Sequence, residues 1–191
     1  WEKKKLQGTE LCEKNFAVVG LGNIGRIVAD RAKGLRMNVL AYDPFISEED
    51  AAKLGVELLS MDALLGRADF ISIHTPLNDK TRALFNKDAF SKMKKGAFLV
   101  NAARGGIVDE AACVKALDEG ILAGAAFDVF ETEPLTDTTH PLLTHPDVLA
   151  TPHSGYVTED EFDLQFSDIF DQINAYADGA PIHMINPQVV S

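Results

Sequence analysis

Short apolar runs recur along the chain, separated by stretches in which apolar positions return every three or four residues. The runs have the length of buried strands and the stretches the period of amphipathic helices, so their alternation predicts βαβ units and a parallel sheet. Strands are expected near 16–20, 38–42, 70–74, 97–101, 122–127 and 147–150, with a weaker one at 56–58. The fold class that follows is α/β, a doubly wound parallel sheet. The first helix is expected to open at Asn23 and run to about Ala32, with Ile24, Ile27 and Val28 toward the sheet and Gly34 as its C-terminal cap. Asp109 reads as the N-cap of a helix over 110–119 that Gly120 stops. Thr158 with Glu161 resembles a capping box that opens a long terminal helix carrying Phe162, Phe166, Ile169, Phe170, Ile173 and Tyr176, ended by Gly179-Ala180-Pro181. Residues 131–146, with Pro134, Pro141 and Pro146, read as a long irregular excursion, and a loop of that length in a compact domain is commonly functional.

Composition narrows the picture without changing it. A chain of 191 residues, 46% hydrophobic and 25% charged, has the balance of a globular protein with a sizeable core. Eighteen Lys and Arg against 29 Asp and Glu give a net charge of −11, which argues against a nucleic-acid partner or an anionic membrane surface. It does not argue against small anions held by backbone donors. Cys12 and Cys113 stand far apart with no metal-ligand spacing, so two buried structural thiols in a reducing, cytoplasmic compartment are expected. No run approaches the ~20 apolar residues of a membrane span.

The chemistry-bearing residues fall where the expected strands end. Gly20-Leu21-Gly22-Asn23-Ile24-Gly25 lies between a strand and a helix, and Asp43 closes the next strand 18 residues after Gly25. That is the context in which a GxGxxG pattern signals dinucleotide binding. Gly20 makes the tight turn, Gly22 admits the pyrophosphate to the backbone and Gly25 lets helix and strand pack closely, while Asn23 and Ile24 offer N–H donors at a helix N-terminus. Asp43 suits the adenine-ribose hydroxyls and repels a 2′-phosphate, and Pro44-Phe45 adds no cation, so NAD is expected over NADP. A solvated turn aspartate before Pro44 is the plainer reading of the same residue.

Arg104, in Asn101-Ala102-Ala103-Arg104-Gly105-Gly106, presents a planar donor fork from a glycine loop, an arrangement suited to a carboxylate. Glu133 and His153 offer an acid/base pair in which the carboxylate orients the imidazole and favours its cationic form. Taken singly, His153 is as readily a structural histidine; Arg104 and Glu133 give it company. His74 can pack beneath the cofactor loop, His140, His145 and His183 are expected on exposed or interface loops, and the spacing of the histidines gives no metal site.

The segments GLGNIG, AYDP, IHTPL, NAARGGIVDE, AFDVFETEP and TPHSGY together resemble the D-isomer-specific 2-hydroxyacid dehydrogenase family, including its phosphoglycerate dehydrogenase branch. The resemblance implies a Rossmann-type NAD-binding domain over 1–187, with 1–14 and 180–191 as crossover segments to a substrate domain that this sequence does not contain. It implies Arg104 as the substrate-carboxylate binder, His153 as proton donor and acceptor and Glu133 as its partner. It also sets Asn23, Ile24, Asp43, Thr75, Ala102, Asp128 and Gly155 around NAD. The implied reaction moves a hydride between NAD(H) and a small 2-hydroxy or 2-oxo acid, 3-phosphoglycerate among the candidates, and the implied assembly is a homodimer. A second class is an NAD(H)-sensing binding protein like the C-terminal-binding corepressors, which resemble the same family.

Overall fold

The computed structural model describes residues 8–189. Its strands are β1 (Asn15–Val19), β2 (Asn38–Tyr42), β3 (Glu57–Leu58), β4 (Phe70–Ile73), β5 (Ala97–Asn101), β6 (Leu122–Phe127) and β7 (Val148–Ala150). They form one sheet in the order β3-β2-β1-β4-β5-β6-β7, every neighbouring pair parallel. The helices are α1 (Asn23–Gly34), α2 (Glu48–Lys53), α3 (Met61–Arg67), α4 (Lys87–Lys92), α5 (Glu110–Asp118), α6 (Pro141–Thr144) and α7 (Glu159–Ala177). The order in which successive strands are added reverses between β1 and β4, and ligands of such sheets bind outside the carboxyl ends of the strands at that switch point.

The centre of the sheet is dry. Ala17, Val18, Val19, Leu40, Ala41, Ile71, Ile73 and Leu99 are essentially inaccessible, and the two faces carry separate apolar clusters. This two-sided burial is why the strands read as continuous apolar runs and not as alternations. Phe70 and Phe98 stack with ring centroids 5.2 Å apart, and the Phe98 ring fills the space a side chain at Gly124 would take.

Helix α1 corrects the sequence reading twice. It turns Gly25, Ala29 and Ala32 inward and leaves Ile24 and Ile27 67% and 57% exposed. The buried stripe is built of small residues because the helix lies close to the sheet: a Cβ on Gly25 would collide with the carbonyl oxygen of Gly20. Nor is Gly34 the cap. The helix continues through it, and Arg36 takes the left-handed conformation (φ 61°) that usually falls to glycine. The Arg36 N–H donates to Lys33 O (2.8 Å) and the Met37 N–H to Ala32 O (3.2 Å), a Schellman closure with Met37 and Ala32 both buried. Asp109 caps α5 as expected, accepting the Ala112 N–H, and Thr158 caps α7, accepting the Glu161 N–H. The excursion after β6 is irregular apart from the single turn of α6.

Contacts divide the chain into two compact units, one reaching His153 and one starting at Ser154. The second contains α7, on which no residue is buried, and an ion pair between His183 Nδ1 and Asp168 (3.2 Å). The expected crossover segments lie partly outside the described residues. Cys113 is fully buried, and that burial pushes its thiol up to about 12, whereas Cys12 is only half-buried, against the expectation of two buried thiols. Among the described residues no helix is long and apolar enough to cross a membrane.

Candidate functional site

Gly20 turns the chain off β1 with φ 96°, a conformation that favours glycine, and its Cα faces the backbone of His74 and Thr75 at the end of β4. A Cβ there would stand 2.8 Å from the Thr75 nitrogen. The glycine loop therefore lies in the switch-point crevice itself. Asp43, at the end of β2, accepts the Leu21 N–H through Oδ2 (2.7 Å) and the Phe45 N–H through Oδ1 (2.9 Å). The turn role and the loop-holding role coexist, and each carboxylate oxygen keeps a lone pair for a further donor. Gly20, Gly22, Asp43 and Thr75 line one cleft of about 390 Å³. His74 lines it too and packs under the loop as expected: its Nε2 lies 2.8 Å from Ser72 Oγ, and burial holds its pKa below the ordinary histidine value.

The fit of this cleft to a dinucleotide rests on the start of α1. Every other described α-helix begins with a side chain that accepts a first-turn N–H, from Ser47, Ser60, Asn86, Asp109, His140 and Thr158. Helix α1 begins at Gly22, with no side-chain cap and no acidic residue in its first turn. Its donors and positive end are thus left for an anion, and a Cβ on Gly22 would meet nothing within 4 Å. Asn23 and Ile24 occupy that exposed first turn.

A second cluster stands at the ends of β5, β6 and β7. Asn101, wholly buried, folds the loop after β5 with its side chain: Oδ1 accepts the Ala103 N–H (3.1 Å) and Nδ2 donates to Arg104 O (3.0 Å). Ala102 and Arg104 are exposed on that loop, and Arg104 Nη1 donates to Ala103 O (2.6 Å). Asp128 follows β6, where its N–H donates to Asn101 O and its Oδ1 accepts from Thr151 Oγ1 (2.5 Å). His153, held at φ 53°, places Nδ1 2.6 Å from Glu133 Oε2, and Glu133 Oε1 accepts the Phe130 N–H (2.8 Å). The His153 hydrogen bond, then the Phe130 N–H and the nearby charges of His153 and Arg104, hold the Glu133 carboxyl below its usual pKa against the effect of burial. An ionised Glu133 only accepts, so the hydrogen on Nδ1 donates to it. Beside the pair lies an apolar cleft of about 560 Å³ whose polar lining is Glu133, Thr151 and His153.

The structure thus gathers Gly20, Gly22, Asp43 and Thr75 in one cleft and Arg104, Glu133, His153 and Asp128 at neighbouring strand ends. Gly25 is buried under the loop, and Gly155 belongs to the second unit. Asn101 and Thr151 carry no signal that the sequence reading used. His140 and His145, expected on exposed or interface loops, flank α6 with side chains only 21% and 11% exposed, facing Glu110 and Asp118 of α5.

Residues 1–155 match the model of the D-isomer specific 2-hydroxyacid dehydrogenase NAD-binding domain. The chain belongs to this family. It is 43% identical over 182 residues to a D-3-phosphoglycerate dehydrogenase of Bacillus subtilis, which covers 95% of this chain and 34% of that protein. The chain therefore spans about a third of the length of such relatives. Among solved structures, the pyruvate reductase of Chlamydomonas reinhardtii superposes with a TM-score of 0.85 at 34% identity, over 94% of this chain and 58% of that one. A D-lactate dehydrogenase of Aquifex aeolicus, complexed with NAD and lactic acid, gives 0.82 at 30% identity, over 92% and 57%. The α/β sheet of the 2-hydroxyacid dehydrogenase NAD-binding domain is thus the fold of this chain, and NAD is the cofactor of its family.

Proposed function

We propose that the protein containing this chain is an NAD-dependent oxidoreductase that interconverts a small 2-hydroxy acid and its 2-oxo acid, with Arg104, Glu133 and His153 as the reacting-end residues. The observation that carries this reading is the 2.6 Å contact of His153 with Glu133 on the strand-end row that also bears Arg104. The glycine loop, Asn23, Ile24, Asp43, Thr75 and Ala102 would hold NAD, with Asp128 toward its nicotinamide end. NAD supplies hydride exchange when bound. Arg104 binds the substrate carboxylate through its guanidinium fork. In reduction, His153 gives the Nε2 proton to the developing alkoxide while Glu133 holds the ring; in oxidation the neutral ring takes that proton back. The relatives' names cover phosphoglycerate, pyruvate and lactate, so the acid is kept general, with 3-phosphoglycerate among the candidates. The unpaired cysteines fit a reducing, cytoplasmic compartment.

The test uses the full-length protein. His153→Ala is expected to lower kcat for 2-oxo acid reduction by ~10²–10⁴-fold and to leave NADH affinity near that of the parent. Arg104→Lys should raise KM and lower kcat/KM, because a point charge cannot replace the planar fork. An NAD-sensing binding protein would instead show NADH binding with no turnover on any 2-oxo acid, and unchanged kcat in His153→Ala would remove that residue from the chemistry.

A further inference from the structure

Glu133 meets His153 only if the segment after β6 holds one shape, and the peptide joining Phe130 to Glu131 is fixed on three sides. The Phe130 N–H donates to Glu133 Oε1 (2.8 Å). The Glu131 N–H donates to Glu110 Oε1 (2.8 Å), 21 residues back in the chain. On the third side stands Gly105, the residue after Arg104, whose Cα lies so close that a Cβ would collide with the Phe130 carbonyl group and the Glu131 nitrogen.

Glu110 does more than accept one hydrogen bond. It is the first residue of α5, largely buried, and its Oε2 lies 3.3 Å from His140 Nε2. His140 Nδ1 accepts the Leu142 N–H (3.3 Å), which leaves Nε2 as the nitrogen that faces Glu110. The His140 ring also stands edge-on to Phe130, with centroids 6.4 Å apart. One carboxylate therefore grips the excursion at both ends, at Glu131 where it leaves β6 and at His140 where it enters α6. Glu133 lies between these two points.

We propose that Glu110 is a positioning residue for the acid/base pair: by holding the Glu131 N–H and His140 it fixes the segment that presents Glu133 to His153, in register with the Gly105 end of the Arg104 loop. Glu110 touches neither His153 nor Arg104, and it acts through Glu133. The inference rests on the reading of Glu133 and His153 as a working pair, and its test separates the two.

In the full-length protein, Glu110→Ala is expected to lower kcat for 2-oxo acid reduction about ten- to a hundredfold, the scale of a misplacement of about 1 Å, with NADH affinity unchanged within about twofold. Glu110→Gln keeps a carbonyl for the Glu131 N–H and should recover most of the rate. Because Glu110 acts through Glu133, the Glu110→Ala/Glu133→Gln double variant should be no slower than Glu133→Gln alone. A readout that needs no turnover is the Nδ1 proton resonance of His153 in protein labelled with nitrogen-15 histidine. It should move upfield in Glu110→Ala and return in Glu110→Gln. An unmoved His153 resonance in Glu110→Ala, or full additivity in the double variant, would overturn the proposal. If His153→Ala proves fully active, the acid/base role of His153 fails while the resonance still decides whether Glu110 holds the pair.

Discussion

A Cβ on Gly105 would run into the carbonyl carbon of Phe130, whereas one on Gly22 would meet nothing within 4 Å. The same substitution therefore has opposite expected effects at the two positions. Gly105→Ala must displace the Phe130–Glu131 peptide and should destabilise the fold by roughly 1–3 kcal/mol, the usual cost of overpacking. Gly22, at φ −72°, accepts a methyl group without strain, so Gly22→Ala should leave the unfolding midpoint almost in place. What it should lose is NADH affinity, because the methyl occupies the approach to the uncapped start of α1. Denaturant unfolding and calorimetric NADH titration of both variants check the contrast. A Gly22→Ala protein with parental affinity would remove the close-approach argument.

Asp69 ties three elements together where they begin. Its Oδ2 accepts the Asn15 N–H at the start of β1 (2.9 Å), its Oδ1 meets Lys94 Nζ ahead of β5 (2.6 Å), and its own backbone leads into β4. Burial pushes its carboxyl up, but Lys94 and the Asn15 N–H outweigh that and hold the pKa below the ordinary aspartate value. A depressed folded pKa gives stability that is present above the unfolded value and is lost as pH falls through the folded one. Asp69→Asn is thus expected to cost about 1 kcal/mol at neutral pH and to flatten the stability curve below about pH 4. Thermal unfolding across pH checks this, and a parallel acid limb in the variant would contradict it. The strands themselves were legible because both faces of a parallel sheet are buried, which leaves runs that no helix period explains. The inward face of α1 was not, because an apolar pattern ranks Ile24 and Ile27 above Ala29 and Ala32, while close packing on the sheet selects the small ones. Of the site, the glycine loop and the strand-end residues were legible from local context. The supports Asn101, Glu110 and Thr151 were not, because their partners are loop backbone or lie far away in sequence and leave no periodic trace.

On the scale of the whole molecule, α7 leaves Phe162, Phe166, Ile169, Phe170, Ile173 and Tyr176 exposed at the spacing of one helix face, and apolar surface of this kind marks association sites. A homodimer is the expected state in solution. Light scattering at micromolar concentration checks it, a monomer mass counting against the expectation. The strand order has a different consequence. Asp43 follows β2 and His153 follows β7, five steps across the sheet. At ~4.8 Å per step the sheet is a ruler of roughly 20–25 Å laid between an end that would grip the adenosine and an end that would carry out the reaction. A change of acid at the β5–β7 end leaves the graduations at the β1–β2 end untouched, so one cofactor half can serve many substrates without being re-measured.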